Sequence, residues 1–286
     1  MCISLELVDG NALFMDGSGI RANAGIRNDH DIKRCKLHIR AINERIDKLV
    51  NDNADEDTRE EKQENIVRLK KELRSKNKLL SAVKVFAQET GRKKMNTVDP
   101  DSVTIKSRQG IHAGYKAQVV ADGKHGLVVT TEAVSHSTDI NQLTRQLEQA
   151  KEVLNKKPEV VCADAGYYNP WDITKVDSDV LVVVPSPKVM YQERGHKSKP
   201  FEKDSFTYDE KHNEYICPEG KKLRFCGTHK KGQKTYRASW EDCCKCAHFG
   251  VCTKNGMGRS IDRMEHEILH QKLTAIYKSP QGQAIY

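Results

Sequence analysis

The sequence predicts an α/β fold, because segments with the composition of β-strands alternate with segments of helical periodicity. Residues 5–15 are mostly apolar and predict a strand interrupted by a turn at Asp9 and Gly10. Residues 115–121 and 127–134 predict a β-hairpin, since a Gly-containing turn separates two runs rich in Val. Strands therefore form the first part of the predicted core.

The later part of the core alternates helices and strands. Four residues have the spacing of one helix face: Leu143, Leu147, Ala150 and Leu154. Ser137 or Asp139 can cap this helix at its N-terminus. Residues 159–163 and 179–184 predict strands, and a short helix is expected near residues 170–176. The predicted order is thus strand, hairpin, helix, strand, helix, strand.

A pair of long helices interrupts this order after the first strand. Apolar residues at steps of three and four define two seams: Ile32, Cys35, Ile39, Ile42, Ile46 and Leu49, then Ile66, Leu69, Leu73, Leu80 and Val83. The acidic, polar run NDNADEDTREE lies between the two seams. The pattern predicts an antiparallel helical hairpin with a solvated loop, in which the seams serve packing or self-association.

We divide the chain into five segments on these patterns. They are residues 1–30, the first strands of the core; 31–93, the inserted helical hairpin; 94–188, the remainder of the core; 189–263, a cysteine-rich insertion; and 264–286, a C-terminal helix. The insertion is polar and rich in Lys and Gly. It contrasts with the core segments in composition, which is why we expect it to be a separate module.

The overall charge favours a polyanionic partner such as nucleic acid. The 286 residues carry a formal net charge of +8, with a pI near 8.9. Apolar runs are far too short to cross a bilayer, and the first residues lack the pattern of a signal peptide. We therefore expect a cytoplasmic protein with no membrane association.

Two aspartates stand out because each follows an apolar strand. Asp16 comes after the first predicted strand and Asp164 after the strand VVCA. The order of elements is that of a ribonuclease-H-like fold, in which the first and fourth strands are neighbours, so these carboxylates could meet. Such a pair can bind two Mg²⁺ ions, or Mn²⁺, with coordination sites left for water and phosphate. The alternative for each is a turn residue that only bonds to nearby backbone.

Other acidic residues have simpler interpretations. Asp122 and Asp139 are expected to be turn and cap residues. Glu265 and Glu267 lie on the predicted last helix, where either could be a third metal ligand beside Asp16 and Asp164. His136 is expected to be a polar surface residue.

The cysteines of the insertion indicate metal binding more than oxidation. Cys243 and Cys246 have the C-x-x-C spacing of a zinc knuckle, and Cys217 and Cys252 could complete a tetrahedral Zn²⁺ site. Cys226 and Cys244 remain as spare or replacement ligands. The alternative is a set of free thiols. A bound ion would organise a segment poor in apolar residues and would not be catalytic.

Several blocks of the sequence resemble the DDE transposases encoded by bacterial insertion sequences. These blocks are FMDGSGIRANAG at residues 14–25, SRQGIHAGYKAQVVAD at residues 107–122 and VVCADAGYYN at residues 160–169. The segment from YDEKHNEYICPEGKKL through the C-x-x-C motif to GRSIDRMEHE resembles the cysteine-bearing insertion of one branch of that group. Ordered blocks along almost the whole chain make this resemblance more specific than any single motif.

The resemblance implies a function and roles for individual residues. It implies that Asp16 and Asp164 are the first two catalytic aspartates, and that the partner is double-stranded DNA, as transposon ends and target. It places a catalytic glutamate after a block like SPQGQAIY, beyond Tyr286, so we expect a chain truncated at both ends and weak or inactive in transposition. By analogy with the family, a homodimer is expected.

Basic segments are the candidates for phosphate contacts, although each could equally be a solvated surface. They are residues 92–94, 194–203 and 229–234. Three functions follow: a transposase, a non-catalytic DNA-binding or self-associating remnant, and a metal-dependent nuclease without strand transfer. Only the first joins a 3′ end to new DNA, and only the second binds DNA without cutting it.

Overall fold

A computed structural model describes residues 4–51, 59–107, 110–196, 200–229 and 232–286. The strands are β1 (Ala12–Arg21), β2 (Asp29–Asp31), β3 (Lys94–Asn96), β4 (Val103–Ser107), β5 (Gly110–Asp122), β6 (Val128–Val134), β7 (Val160–Ala163), β8 (Leu181–Val183), β9 (Thr207–Asp209), β10 (Glu214–Ile216), β11 (Lys222–Thr228), β12 (Lys234–Ala238) and β13 (Ser260–Arg263). The helices are α1 (Ile32–Asn51), α2 (Arg59–Thr90), α3 (Leu143–Leu154), α4 (Pro170–Ile173), α5 (Pro187–Glu193), α6 (Trp240–Cys244), α7 (Glu267–Lys278) and α8 (Pro280–Ile285).

The chain forms two compact units. The first unit contains Met1–Met15, Val120–Val129 and Ile140–Tyr286, and the second contains Asp16–Val119 and Thr130–Asp139. In the first unit β7 pairs in parallel with β1 and with β8, and in the second unit β4 pairs with β5 in antiparallel orientation. Parallel and antiparallel strands together with helices confirm the predicted α/β class.

The core of the first unit forms around parallel strands. Met15 pairs with Ala163 in the β1–β7 register, and Val161 pairs with Val182 in the β7–β8 register. Leu147 of α3 is fully buried in the same apolar cluster as these strands. The predicted neighbourhood of the first and fourth core strands, β1 and β7, is therefore confirmed.

The second unit contains the helical hairpin. Helices α1 and α2 occupy the two segments that the apolar seams predict, while residues 52–58 of the connecting acidic run lie outside the described residues. Cys35 near the start of α1 packs against Val83 near the end of α2 and against Met95 of β3. This pairing of opposite ends makes the hairpin antiparallel, as predicted.

The cysteine-rich insertion contains a sheet of its own within the first unit. Its five strands have the antiparallel order β13-β12-β11-β10-β9. Tyr215, Leu223, Tyr236 and Ile261 form its buried centre. Aromatic and aliphatic residues in this polar segment therefore provide a small core.

Two predictions about the first strand are wrong. Residues 5–11 are not in a strand, because the amide of Asn11 bonds to Asp9 Oδ1 at 2.9 Å in a turn and Gly10 has a φ of 68°. At its other end the strand does not stop before Asp16 but continues to Arg21. The continued strand has room only for a glycine at position 17, because a Cβ there would lie 2.0 Å from Asp139 Oδ1. The DGSG sequence is thus part of a strand.

The predicted caps of α3 are also wrong. The residue before α3 is Gln142, which makes no side-chain capping bond. Instead, the buried Asp172 of α4 accepts a hydrogen bond at its Oδ2 from the amide of Thr144 at 3.2 Å. A carboxylate from a later helix thus satisfies this N-terminus. Across the described parts of the chain, no helix is both long and apolar enough to span a lipid bilayer.

Candidate metal centre and cysteine site

Asp16 lies in the middle of β1 with its side chain exposed. Leu13 and Met15 are buried, whereas Phe14 and Asp16 project from the opposite face, as the alternation of a strand requires. Asp16 Oδ1 accepts a hydrogen bond from the amide of Gly17 at 2.8 Å. One carboxylate oxygen is thus oriented by the backbone.

Asp164 is the first residue after β7 and is also exposed. Its Oδ1 accepts a hydrogen bond from the amide of Gly166 at 2.8 Å, so the side chain caps the 3₁₀ turn Ala165–Tyr167. This is the turn role that the sequence left as an alternative. Because the bond uses one lone pair of a carboxylate that can accept about four hydrogen bonds, capping does not prevent metal ligation.

The two aspartates occupy equivalent positions along paired strands. Met15 is the partner of Ala163 in the parallel β1–β7 register. Asp16 and Asp164 are the residues that follow this pair in the sequence.

A buried ion pair in the second unit lies next to the backbone of Gly17. Lys116 Nζ donates to Asp139 Oδ2 at 2.8 Å, and the two side chains are only 15% and 11% exposed. The same ammonium donates to the carbonyl oxygen of Gly17 at 3.1 Å, and Gln118 Nε2 donates to Asp139 Oδ1 at 2.7 Å. Asp139, predicted as a helix cap, is therefore an acceptor in a buried network beside β1.

The two glutamates considered as replacements for a third ligand have other contacts. Glu267 is buried, and its Oε2 lies 2.6 Å from Lys203 Nζ and accepts a hydrogen bond from the amide of Met264 at 3.2 Å. Glu265 packs beside Gly232, where a Cβ would lie 2.6 Å from its Oε2. Asp122, expected in a turn, is the buried last residue of β5: it accepts from the amide of Lys124 in the following turn at 3.0 Å and from the distant amide of Gly10 at 2.8 Å.

Aromatic side chains surround the strand that precedes Asp164. Burial, with the nearby charge of Glu267, raises the pKa of Tyr168. Burial also raises the pKa of Tyr286, and the nearby Tyr277 and the carboxylate of Asp164 raise this pKa further. On β7 itself, the thiol of Cys162 is buried, and this burial raises the pKa of the thiol to about 11. Cys162 therefore remains a neutral packing residue at physiological pH.

The four cysteines predicted as zinc ligands meet around one small cavity. Cys217, Cys243, Cys246 and Cys252 line a space of about 30 Å³ in the first unit. Cys226 and Cys244 do not line it; their thiols lie 3.5 Å from the carbonyl oxygens of Arg224 and Glu241. The four predicted zinc ligands thus lie together at the cavity, and the two remaining cysteines of the insertion lie outside it.

Backbone amides donate to three of these sulfurs. The amide of Lys221 lies 3.2 Å from Cys217 Sγ, that of His248 lies 3.4 Å from Cys246 Sγ and that of Arg259 lies 3.4 Å from Cys243 Sγ. Such bonds stabilise negative charge on sulfur. Burial raises the pKa of Cys252, partly opposed by Arg259, and the other three cysteines raise it further. A divalent cation would relieve this mutual repulsion of thiolates, so the donor set fits zinc.

One further group has the spacing of metal ligands. Within the described ranges, Asp209, His212 and Glu214 place their ligand atoms within 4.8 Å of one another in the β9–β10 hairpin. Asp209 Oδ2 lies 2.7 Å from His212 Nδ1, and Glu214 Oε1 lies 2.6 Å from Lys222 Nζ. Asp209 thus already has a hydrogen-bond partner in His212, and Glu214 has an ion-pair partner in Lys222.

The sequence did not identify the Lys116–Asp139 pair. The two residues are 23 positions apart, on β5 and after β6. The weak signal was the pair of polar residues Lys116 and Gln118, two positions apart and therefore on one face of β5.

Comparison with known families identifies the class of protein. The family model described as the transposase DDE domain matches residues 92–260, more than half of the 286-residue chain. The chain therefore belongs to the DDE-domain transposases, which confirms the resemblance found in the sequence. No curated protein and no solved structure matched the chain. Membership of this family supports a role in DNA transposition and implies a DNA substrate.

Proposed function

We propose that the protein cleaves and joins double-stranded DNA during transposition, with Asp16 and Asp164 as ligands for Mg²⁺ or Mn²⁺. The observation that carries this proposal is the parallel register in which Met15 pairs with Ala163, because each aspartate directly follows one member of this pair in the sequence. Their carboxylates provide the hard oxygen ligands that these cations prefer.

The local bonding of both side chains supports this role. In each aspartate Oδ1 accepts one backbone amide, from Gly17 or Gly166, which limits rotation of the carboxylate. Both side chains are exposed, so a DNA phosphate can reach them. When bound, divalent ions in such a site activate the attacking hydroxyl and stabilise the leaving oxygen.

The products of the reaction distinguish a transposase from a nuclease. The test incubates the protein with duplexes carrying the sequences that flank its gene, in Mg²⁺ or Mn²⁺, together with a labelled target duplex. We expect only weak nicking at the ends and weak transfer of the freed 3′ end into the target, in line with the low activity expected from the sequence. Nicks without joined products would favour the nuclease, and DNA binding without nicks would favour a non-catalytic remnant.

We also propose that Cys217, Cys243, Cys246 and Cys252 bind one structural Zn²⁺. Their arrangement around one cavity and the amide donors to three of the sulfurs support this. The ion would draw the four sulfurs together and stabilise the β9–β13 sheet, against which Cys217, Cys243 and Cys252 pack.

We further propose that two copies of the chain act together on a pair of DNA ends, by analogy with the family. Light scattering of the protein with and without end-containing duplex tests this proposal. A mass of two chains per complex is expected, and one chain per duplex at all concentrations would contradict it.

A further inference from the structure

We infer that a pocket of the second unit, formed by Arg92, Lys93, Lys94 and the segment 135–137, binds a backbone phosphate of duplex DNA. The pocket has a volume of about 370 Å³. This inference rests on the proposed function, because that function makes duplex DNA the polyanion which the chain meets. It assigns a binding role to one of the three basic segments of the sequence.

Within the described ranges, the guanidinium of Arg92 bonds to carbonyl oxygens and forms no ion pair with a carboxylate. Its Nη1 donates to the carbonyl oxygens of Pro100 and Asp101 at 3.0 and 3.2 Å, and its Nη2 donates to that of Ser102. Its guanidinium also lies over the ring of Phe86, 5.1 Å from the centroid. These neutral partners fix the side chain and leave its full charge to act on the pocket.

The neighbouring lysines are available for an anion. Both side chains are exposed, and neither makes an ion pair or a hydrogen bond to another residue in the portion of the chain that the structure covers. Lys94 is on β3, whose buried neighbours Met95 and Asn96 hold the backbone of the pair in place. Two such lysines lining one pocket provide cationic donors for a phosphate.

The single acidic residue of the pocket is bonded to neutral groups. Asp29 Oδ1 accepts from Asn96 Nδ2 at 2.6 Å, and Asp29 Oδ2 accepts from Thr104 Oγ1 at 2.8 Å. The pocket thus has three cationic side chains and one anionic side chain, a formal excess of two positive charges. The hydroxyls of Ser135 and Ser137 and the imidazole of His136 add donors for phosphate oxygens.

In the larger cavity of the first unit, by contrast, lysines pair with carboxylates. It measures about 710 Å³ and also contains lysines. There, Lys188 pairs with Glu202 and Asp204 at 2.8 and 2.6 Å, and Lys203 pairs with Glu267 at 2.6 Å. Because carboxylates already neutralise these lysines, the pocket of the second unit is the better phosphate site.

The test measures the salt dependence of binding to a short duplex of arbitrary sequence. The double variant Lys93→Gln/Lys94→Gln is compared with wild type and with Lys70→Gln/Lys71→Gln, an adjacent pair of exposed lysines on α2 in the same unit. Each phosphate contact contributes about 0.9 to the slope of log K against log salt concentration. We therefore expect the slope of the Lys93/Lys94 variant to be flatter by about 2, and that of the control to stay at the wild-type value.

An unchanged slope in the Lys93/Lys94 variant, or an equal flattening in the Lys70/Lys71 control, would overturn the inference. Circular dichroism checks that both variants fold. Hydrogen exchange of the wild type gives an independent result: the duplex should protect residues 94–96 and 135–137, and absence of protection there would also overturn it.

The salt-dependence test and the cleavage test can succeed or fail independently of each other. If the slope changes but no nick forms, the phosphate site stands and the catalytic proposal fails. If nicks form but the slope is unchanged, the catalytic proposal stands and the pocket has no role in binding DNA.

Discussion

Lys116 and Asp139 form a buried ion pair, 2.8 Å between Nζ and Oδ2, in which the ammonium also bonds to the carbonyl oxygen of Gly17. Gly17 follows Asp16 on β1, so this pair holds the backbone next to a proposed metal ligand. Lys116 lies on β5 and Asp139 lies in the segment after β6. The network is therefore a positioning element for the candidate site.

Removing one member of this pair should destabilise the protein. Asp139→Leu leaves the ammonium of Lys116 buried without its counter-charge, and we expect a loss of about 2 to 4 kcal/mol in the free energy of unfolding. Urea denaturation measures the change. The double variant Lys116→Met/Asp139→Leu removes both charges and should recover much of the loss. If Asp139→Leu were as stable as wild type, the ion pair would make no contribution to the stability of the fold.

Replacement of Gly17 should disturb the same network. In Gly17→Ala the new methyl group would lie 2.0 Å from Asp139 Oδ1, so the carboxylate must move away from Lys116 and Gln118. We expect a cost of about 1 to 3 kcal/mol in thermal or urea unfolding.

Gly19→Ala on the same strand is the matched control for Gly17→Ala. Its methyl group would lie 3.3 Å from Ile105 Cγ2, a contact that a small shift of an apolar side chain relieves. We expect a cost below about 1 kcal/mol. Equal effects of the two substitutions would mean that strand propensity, and not the contact with Asp139, determines the result.

The zinc proposal predicts about one Zn²⁺ per chain in protein purified without chelators. Cys243→Ser and Cys246→Ser should each abolish bound zinc and lower the melting temperature. Cys244→Ser, at the position between them, should retain both, because its thiol lies outside the cavity. Elemental analysis gives the metal content. Zinc retained in the two ligand variants, or lost in Cys244→Ser, would disprove this ligand set.

Tyr115 should titrate well above an ordinary tyrosine. Its hydroxyl donates to Asp99 Oδ1 at 2.6 Å, and this bond, with burial, raises the pKa of Tyr115 from 10.0 to about 12. The folded-state pKa exceeds the unfolded value, so the stabilisation is complete below about pH 10 and is lost as the pH rises towards 12. NMR of labelled tyrosine measures the titration. Asp99→Asn should move the pKa towards 10, and an unshifted pKa in wild type would contradict the bond.

Much of the fold could be predicted from local patterns. The seams that include Cys35 and Val83 predicted both helices of the hairpin, because a seam of apolar side chains at helical spacing must be buried along its whole length. The apolar run of β7 predicted a buried strand for the same reason. Asp164 was recognised as a candidate metal ligand because it directly follows this apolar strand.

The remaining features depend on contacts between distant residues. The predicted strand ended before Asp16, since the sequence does not show that Asp139 occupies the space beside Gly17. Likewise Asp172, which caps α3 by accepting from Thr144, lies 28 positions later in the chain. Local propensity cannot predict a cap or a glycine that serves tertiary packing.

Manganese binding by the zinc-loaded protein, followed by electron paramagnetic resonance, tests the role of Asp164 most directly. We predict that Asp164→Asn and Asp16→Asn each weaken Mn²⁺ binding at least about tenfold, since each removes a charged oxygen ligand. Asp209→Asn is the matched control, because its carboxylate is partly exposed and already hydrogen-bonds to His212 Nδ1. This control should bind Mn²⁺ as wild type does. Undiminished Mn²⁺ affinity in Asp164→Asn would contradict the proposed metal centre.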